Sequence, residues 1–249
     1  MKKRVKQAKP KKSATRSTKV TRIKTGIDHL DTLIGGGLIE KSITLVAGGA
    51  GSGKTIFAMQ FLLEGLKLGE SCIYLTFEEK KEKLYGDMAG FGWNFEKYEN
   101  DKHFFYLEHS PEQVKALIEE GGGTIDQLIS KKKVTRLVID SVTSFYLLYQ
   151  DELSRKEAGL ALFELINKWG CTAVLTSQAA ARKDDLLNTS LEFEADSIIL
   201  LYHFRARGER KRALEILKMR GTSHSNKTMM FNITKAGIVV HPGQILKSS

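Results

Sequence analysis

The chain has 249 residues, 41% hydrophobic and 27% charged, ordinary usage for a globular protein and one that excludes wholesale disorder. Its three prolines exclude a proline-rich scaffold, no apolar run approaches the ~20 residues of a membrane span, and the basic N-terminus lacks the apolar stretch of a secretory signal; a soluble cytoplasmic protein is expected. The net charge of +10 divides unevenly: residues 1–19 hold nine of the 39 Lys and Arg and none of the 29 Asp and Glu, leaving 30 cations against 29 anions in the other 230 residues.

In chain order, the first element is therefore a basic tail. With Val5 its only large apolar residue, the segment 1–19 cannot offset its ordering entropy by burial, and it reads as disordered ahead of a single domain spanning residues 20–249. Such a tail favours weak, nonspecific contact with nucleic acid or an anionic surface, or serves solubility alone. Residues 42–48 (SITLVAG) then read as a buried strand ending in glycine. Residues 54–68 are helix-length and apolar on most faces. Residues 72–77 (CIYLTF) are a second strand, followed by a polar helix over 80–89. Residues 104–108 (FFYLE) are a third strand, and Pro111 suits the first turn of the next helix. Val114, Leu117 and Ile118 follow a helical period that Ile125, Leu128 and Ile129 resume, with a break expected at Gly121, Gly122 and Gly123.

Residues 134–140 (VTRLVID) are a fourth strand, 156–169 an amphipathic helix stopped by Gly170, and 171–177 (CTAVLTS) a fifth strand. Strands separated by helices imply right-handed crossovers and a mainly parallel sheet covered on both faces. Residues 197–203, 212–219, 228–233 and 238–240 instead read as strands joined by short turns, an antiparallel C-terminal extension. Cys72 and Cys171 match no metal spacing and are expected as buried thiols in strands.

Gly48-Gly49-Ala50-Gly51-Ser52-Gly53-Lys54-Thr55 fits G-x-x-x-x-G-K-[ST] between a strand and a helix, the context a phosphate-binding loop requires. Glycines let the backbone curl so that N–H groups converge on anionic oxygens, and the helix N-terminus adds its dipole. Lys54 is expected on the β- and γ-phosphates of ATP and Thr55 on Mg²⁺, with Ile56 closing the nucleotide-binding run. Asp140 ends an apolar strand, a Walker B arrangement that supplies the second Mg²⁺ contact at the sheet's carboxyl edge. Glu78 and Glu79 follow the second strand; were it to continue, they would point to opposite sides and one would face the γ-phosphate as base for water. Gln178 ends the fifth strand, where an amide can sense the γ-phosphate and couple it to the loop 179–190. Lys218, Arg220, Gly221 and His224 close a later strand, and taken alone read as a charged hairpin end. The six histidines show no H-x-x-x-H or H-E-x-x-H spacing, which gives no support to a protein-ligated catalytic metal, and no G-x-S-x-G elbow is present.

Thr25-Gly26-Ile27-Asp28 with Gly35-Gly36-Gly37-Leu38 ahead of the loop, Thr76-Phe77-Glu78-Glu79, Phe91-Gly92-Trp93, and Lys218-Met219-Arg220-Gly221-Thr222-Ser223-His224 together resemble the single-domain, archaeal-type KaiC-like ATPases of the RecA superfamily, over residues 21–241. The resemblance implies an α/β, RecA-like P-loop NTPase fold and a ring, usually a hexamer, binding ATP between subunits. It further implies that residues 218–224 reach the neighbour's nucleotide, with Lys218 and Arg220 near its γ-phosphate and Thr222 and His224 in the same segment. Glu78 and Glu79 would be the catalytic pair, and Thr234 a further contact to the neighbour's nucleotide. The Ser-Thr pair phosphorylated in the second half of the clock protein aligns with Glu192 and Phe193, so the resemblance is to the first, ATP-hydrolysing half and speaks against autokinase activity there.

Three functions share this core. One is a ring-forming regulatory ATPase of the KaiC-like family with slow hydrolysis and a protein partner; the others are a RadA- or RecA-like recombination ATPase and an ATP-switched assembly protein. The loop after Gln178 places Arg182 and Lys183 before Asp184 and Asp185 with no aromatic residue to stack bases, which favours the first over the second. The Glu78-Glu79 pair favours turnover over a switch.

Overall fold

The computed structural model describes residues 20–178 and 194–246; the basic segment 1–19, the loop 179–190 and positions Glu192 and Phe193 lie outside them. The described chain opens with β1 (Arg22–Ile23), α1 (Leu30–Leu33) and β2 (Leu38–Ile39), with β1 and β2 paired as a small antiparallel sheet. Next come β3 (Ile43–Gly48), α2 (Lys54–Lys67), β4 (Ser71–Thr76), α3 (Lys81–Ala89), α4 (Phe95–Asn100) and β5 (Phe104–Glu108). They are followed by α5 (Pro111–Glu119), α6 (Gly123–Lys132), β6 (Val134–Asp140), α7 (Val142–Tyr146), α8 (Glu152–Trp169) and β7 (Thr172–Gln178). The C-terminal strands are β8 (Ser197–Ala206), β9 (Glu209–Met219), β10 (Met229–Thr234) and β11 (Gly237–Ile245).

One nine-stranded sheet runs β11-β10-β9-β8-β3-β7-β6-β4-β5. From β8 to β5 all neighbours are parallel, whereas β9, β10 and β11 are antiparallel. The mainly parallel sheet with an antiparallel extension is thus as expected. Its central strands are mostly apolar because both faces are covered. Val46, Tyr74, Val138 and Val174 pack into one core with α2 and α3. Their neighbours Leu45, Ile73, Leu75, Leu137, Ile139, Ala173 and Leu175 point the other way, into a second core with α8, as a side-chain period of two demands.

Several expected boundaries shift for local reasons. The last long helix begins at Glu152, four residues early, because Asp151 accepts a bond from the Ser154 N–H and caps it (2.9 Å). The glycine run does break α5 from α6, with Gly121 and Gly122 both at positive φ, which glycine alone adopts freely. At α5, Ser110 and Gln113 form a capping box ahead of Pro111. The β8–β9 hairpin runs past the residues expected for it, since the Arg205–Arg210 and Ala206–Glu209 pairs extend its ladder without any apolar alternation. Cys72 is buried in β4, but Cys171 lies one residue ahead of β7; both are buried free thiols, and burial pushes the Cys171 thiol up to about 12. Among the described residues no helix is long and apolar enough to cross a membrane.

Arg136 stands inside the apolar run of β6 and is 1% exposed. Its guanidinium forms a fork with Glu70 (2.7 and 2.9 Å) and donates to the carbonyls of Lys24 and Phe61 (both 2.8 Å), so four of its five donors are satisfied, from three segments of the chain. Gly65 leaves the space: a Cβ there would lie 2.4 Å from Nε of Arg136. Burial alone would raise the pKa of Glu70, but bonds from Arg136 and Thr135 overcome it and hold the carboxyl below its usual range. Glu70→Ala is expected to destabilise the fold by about 3–5 kcal/mol, because it strands a buried cation. A carboxyl with a depressed pKa stabilises above its unfolded pKa and loses that contribution as pH falls through its folded pKa. Thermal melts of the wild type should therefore drop in acid below the normal carboxylate range, and those of Glu70→Ala should lack that component.

Candidate nucleotide-binding site

The carboxyl ends of β3, β4, β6 and β7 meet at one edge of the sheet, where β3 turns into the loop at Gly48. Gly48 pairs with Gln178 of β7 and Leu201 of β8. A Cβ on Gly48 would lie 2.3 Å from the Leu201 carbonyl oxygen, so only glycine fits between the strands. Gly51 and Gly53 take positive φ of 70° and 102°, and α2 starts at Lys54 without a side-chain cap or an acidic residue in its first turn. Helix N–H groups and the positive dipole end are thereby left for an anion.

Lys54 lies across the loop, its ammonium donating to the carbonyls of Gly48 (2.9 Å) and Gly49 (3.1 Å). Burial pulls its pKa below the usual lysine value, and the Asp140 carboxylate opposes that shift. The Thr55 hydroxyl donates to Asp140 Oδ2 at 2.8 Å, so the loop and the end of β6 converge on one point, as expected. The Ser52 hydroxyl is wholly buried and finds no partner among the described residues. These donors fit a polyphosphate, and the Thr55 hydroxyl with one carboxylate fits Mg²⁺, which takes few protein oxygens alongside phosphates and waters. No cluster of three or more His, Cys, Asp or Glu suited to a metal occurs among the described residues.

Asp140 has two further partners that sequence reasoning missed. Tyr74 donates to Oδ2 at 2.9 Å, and Thr176 donates to Oδ1. Burial, then the nearby Asp140 carboxylate, push the Tyr74 phenol well above its usual pKa, so it stays a donor. The signal lay in Tyr74 and Thr176 being polar-tipped residues within apolar strands, but a hydroxyl in a strand does not name its partner. The loop is also held from outside. His203 Nδ1 lies 3.3 Å from the Ala50 carbonyl, and Arg212 donates to the Gly51 carbonyl at 3.0 Å. These residues face each other across β8 and β9, a pairing invisible in sequence spacing.

The carboxylate pair is arranged differently from the expectation. β4 ends at Thr76, and the Thr76 hydroxyl accepts bonds from the N–H groups of Glu78 (3.3 Å) and Glu79 (3.1 Å). The two residues sit in a turn, not on opposite faces of a continuing strand. Glu78 accepts from Ser144 of α7, while Glu79 pairs with Lys83 (2.7 Å). Glu79 also lines a cleft of about 320 Å³ with Thr55, Ile56, Leu84, Asp87, Met88 and Phe91. Gln178 ends β7 with an exposed side chain, its N–H donating to Thr143 Oγ1 (2.8 Å).

Residues 218–224 lie elsewhere. Ser197 of β8 pairs with both Thr44 and Met219, so β9 ends level with the start of β3, one strand away, and the Arg220 N–H donates to the Asp196 carbonyl (2.9 Å). The segment occupies the amino edge of the sheet, opposite the chain's own loop. Five strand residues separate the levels of Ile43 and Gly48, ~16 Å at a strand rise of ~3.3 Å. Arg220 pairs with Asp196 (3.7 Å), Thr222 accepts from Arg22 (2.8 Å), and His224 Nδ1 lies 3.0 Å from the Ser225 carbonyl. Burial and then the Arg220 charge lower the pKa of Lys218. Thr234 does not join them. Its hydroxyl closes the β10–β11 turn through Gly237 (3.2 Å) and the Ala236 N–H (3.1 Å), and a Cβ on Gly53 would lie 3.2 Å from the adjacent Ile233, on the loop's own edge.

The family described as "ATPase: KaiC" matches residues 23–245. The chain belongs to the KaiC ATPase family. A UPF0273 protein of Pyrococcus furiosus is 35% identical over 245 residues, covering 92% of this chain and 97% of that protein. The circadian clock protein KaiC3 of Synechocystis is 33% identical over 90% of this chain but only 46% of its own length. The crystal structure of a KaiC-like protein from Pyrococcus horikoshii superposes with a TM-score of 0.79 at 36% identity, covering 90% of this chain and all of that one. This KaiC-like chain thus carries the family's fold together with its phosphate-binding loop.

Proposed function

We propose that the chain is a Mg²⁺-dependent regulatory ATPase that binds ATP at residues 48–56, hydrolyses it slowly, and works as a hexameric ring. The observation that carries the nucleotide reading is the Thr55–Asp140 hydrogen bond beside Lys54, which joins loop and carboxylate at one edge. Thr55 and Asp140 would hold Mg²⁺, which when bound neutralises charge on the β- and γ-phosphate oxygens. Lys54 binds the same phosphates as a point charge. Gln178 reads the γ-phosphate from the end of β7. The Glu78/Glu79 pair accepts the proton of water as its oxygen bonds to the γ-phosphorus and the bridging oxygen departs with ADP.

What supports the ring is the placement of residues 218–224 on the edge away from their own loop. There Lys218 and Arg220 serve a nucleotide only if it is held by another copy, as charge stabilisation in trans. The regulatory role rests on relatives named as clock proteins. Lys54→Ala tests the nucleotide reading. Loss of a charged bond to phosphate should weaken ATP binding by about ten- to a hundred-fold in calorimetry, and unchanged affinity would overturn it.

A further inference from the structure

Arg22 lies on β1, far in sequence from every motif of the site. Its guanidinium donates through Nη1 to the carbonyls of Ile34 (3.0 Å) and Gly37 (2.9 Å) and through Nη2 to Thr222 Oγ1 (2.8 Å). One planar fork thus closes the α1–β2 turn and grips the segment 218–224 at its middle. The turn is shaped for this. Gly35 is at φ 70°, and a Cβ there would lie 3.3 Å from the Thr222 methyl and 3.6 Å from Arg22 Cζ. A second tie runs from the Ser225 N–H to the Leu33 carbonyl (3.1 Å). On the other side Arg220 is anchored by Asp196, whose own Oδ2 accepts from the Ile43 N–H (2.9 Å).

We propose that Arg22 is a positioning residue for hydrolysis on the neighbouring copy, holding Thr222 so that Arg220, two residues before it, is presented in one orientation. This rests on the reading that Arg220 acts in trans. A guanidinium suits the task because its donors lie in one rigid plane and hold three acceptors in a fixed arrangement, whereas the donors of an ammonium rotate on a flexible stem. Arg22 acts through the amino edge of the sheet, so the chain's own loop is untouched by its removal.

The test uses full-length Arg22→Ala, Arg220→Ala and Lys54→Ala chains, singly and mixed. Arg22→Ala should bind ATP with wild-type affinity while its kcat falls about ten- to a hundred-fold, the scale of a lost charged hydrogen bond. Activity should return on mixing with Lys54→Ala, not on mixing with Arg220→Ala, and Arg22→Ala should add nothing in an Arg220→Ala background. Should Arg22→Ala fail to fold, Thr222→Val removes the gripped hydroxyl and leaves both carbonyl bonds of Arg22 in place; the same fall in kcat is expected. Wild-type kcat in Arg22→Ala or Thr222→Val, with Arg220→Ala inactive, overturns the role of Arg22 alone. Wild-type kcat in Arg220→Ala overturns the trans reading and this inference with it.

Discussion

Arg220→Ala is expected to reduce ATP hydrolysis by ~10³–10⁵-fold, the range of an arginine that stabilises transferring phosphoryl charge in trans, with ATP affinity nearly unchanged. The reason is positional. Arg220 is bonded to Asp196 at the level of Ile43, on the edge opposite Lys54, so its removal leaves the loop and the Thr55–Asp140 contact intact. The defect should then be separable from a loop defect. Arg220→Ala chains and Lys54→Ala chains, each inactive alone, should regain phosphate release when mixed, because some interfaces unite an intact loop with an intact Arg220. Sizing in ATP verifies that mixed assemblies form. Mixed assemblies without recovery would show that Arg220 does not act between copies.

Replacing Glu78 and Glu79 together by Gln should lower phosphate release by ~10²–10⁴-fold, the usual worth of a general base. The exchange keeps shape and one acceptor oxygen on each side chain; it removes the ability to take up a proton and, with the charge, the exposed Glu79–Lys83 ion pair, which is worth little. The Thr76 hydroxyl that accepts the two backbone N–H groups is unaffected, so the turn that carries the pair should persist. ATP binding by calorimetry should stay within a few-fold of wild type, since neither carboxylate attracts the phosphates. A double variant that releases phosphate at the wild-type rate would remove the pair from the mechanism.

Much of this protein is legible from its residues because the physics involved is local. Short apolar runs gave β3 to β7 to within a residue, since strands of a sheet covered by helices are mostly apolar. The loop is equally legible, because its glycines, Lys54 and Thr55 lie within eight consecutive positions. Asp140 follows from the same logic, standing where an apolar strand meets the carboxyl edge. Short elements escaped: β1, β2, α1, α4 and α7 are two to six residues long, too short to show a period.

What the tertiary structure alone decided are relations between residues far apart in the chain. Tyr74, Thr176 and Thr55 meet on Asp140 only because β4, β6 and β7 lie side by side in the sheet. Arg136 reads as an oddity in an apolar strand until Gly65 makes room for it and Glu70 satisfies it. Residues 218–224 read as a charged hairpin end, and only the antiparallel return of β9 along β8 puts them on the edge away from the loop. The amino-acid sequence by itself determined the longer elements and the phosphate-binding loop motif, which depend on neighbours in the chain. The partners of Asp140, the burial of Arg136 and the separation of residues 218–224 from the loop depend on strand order and register, which closely spaced residues do not encode.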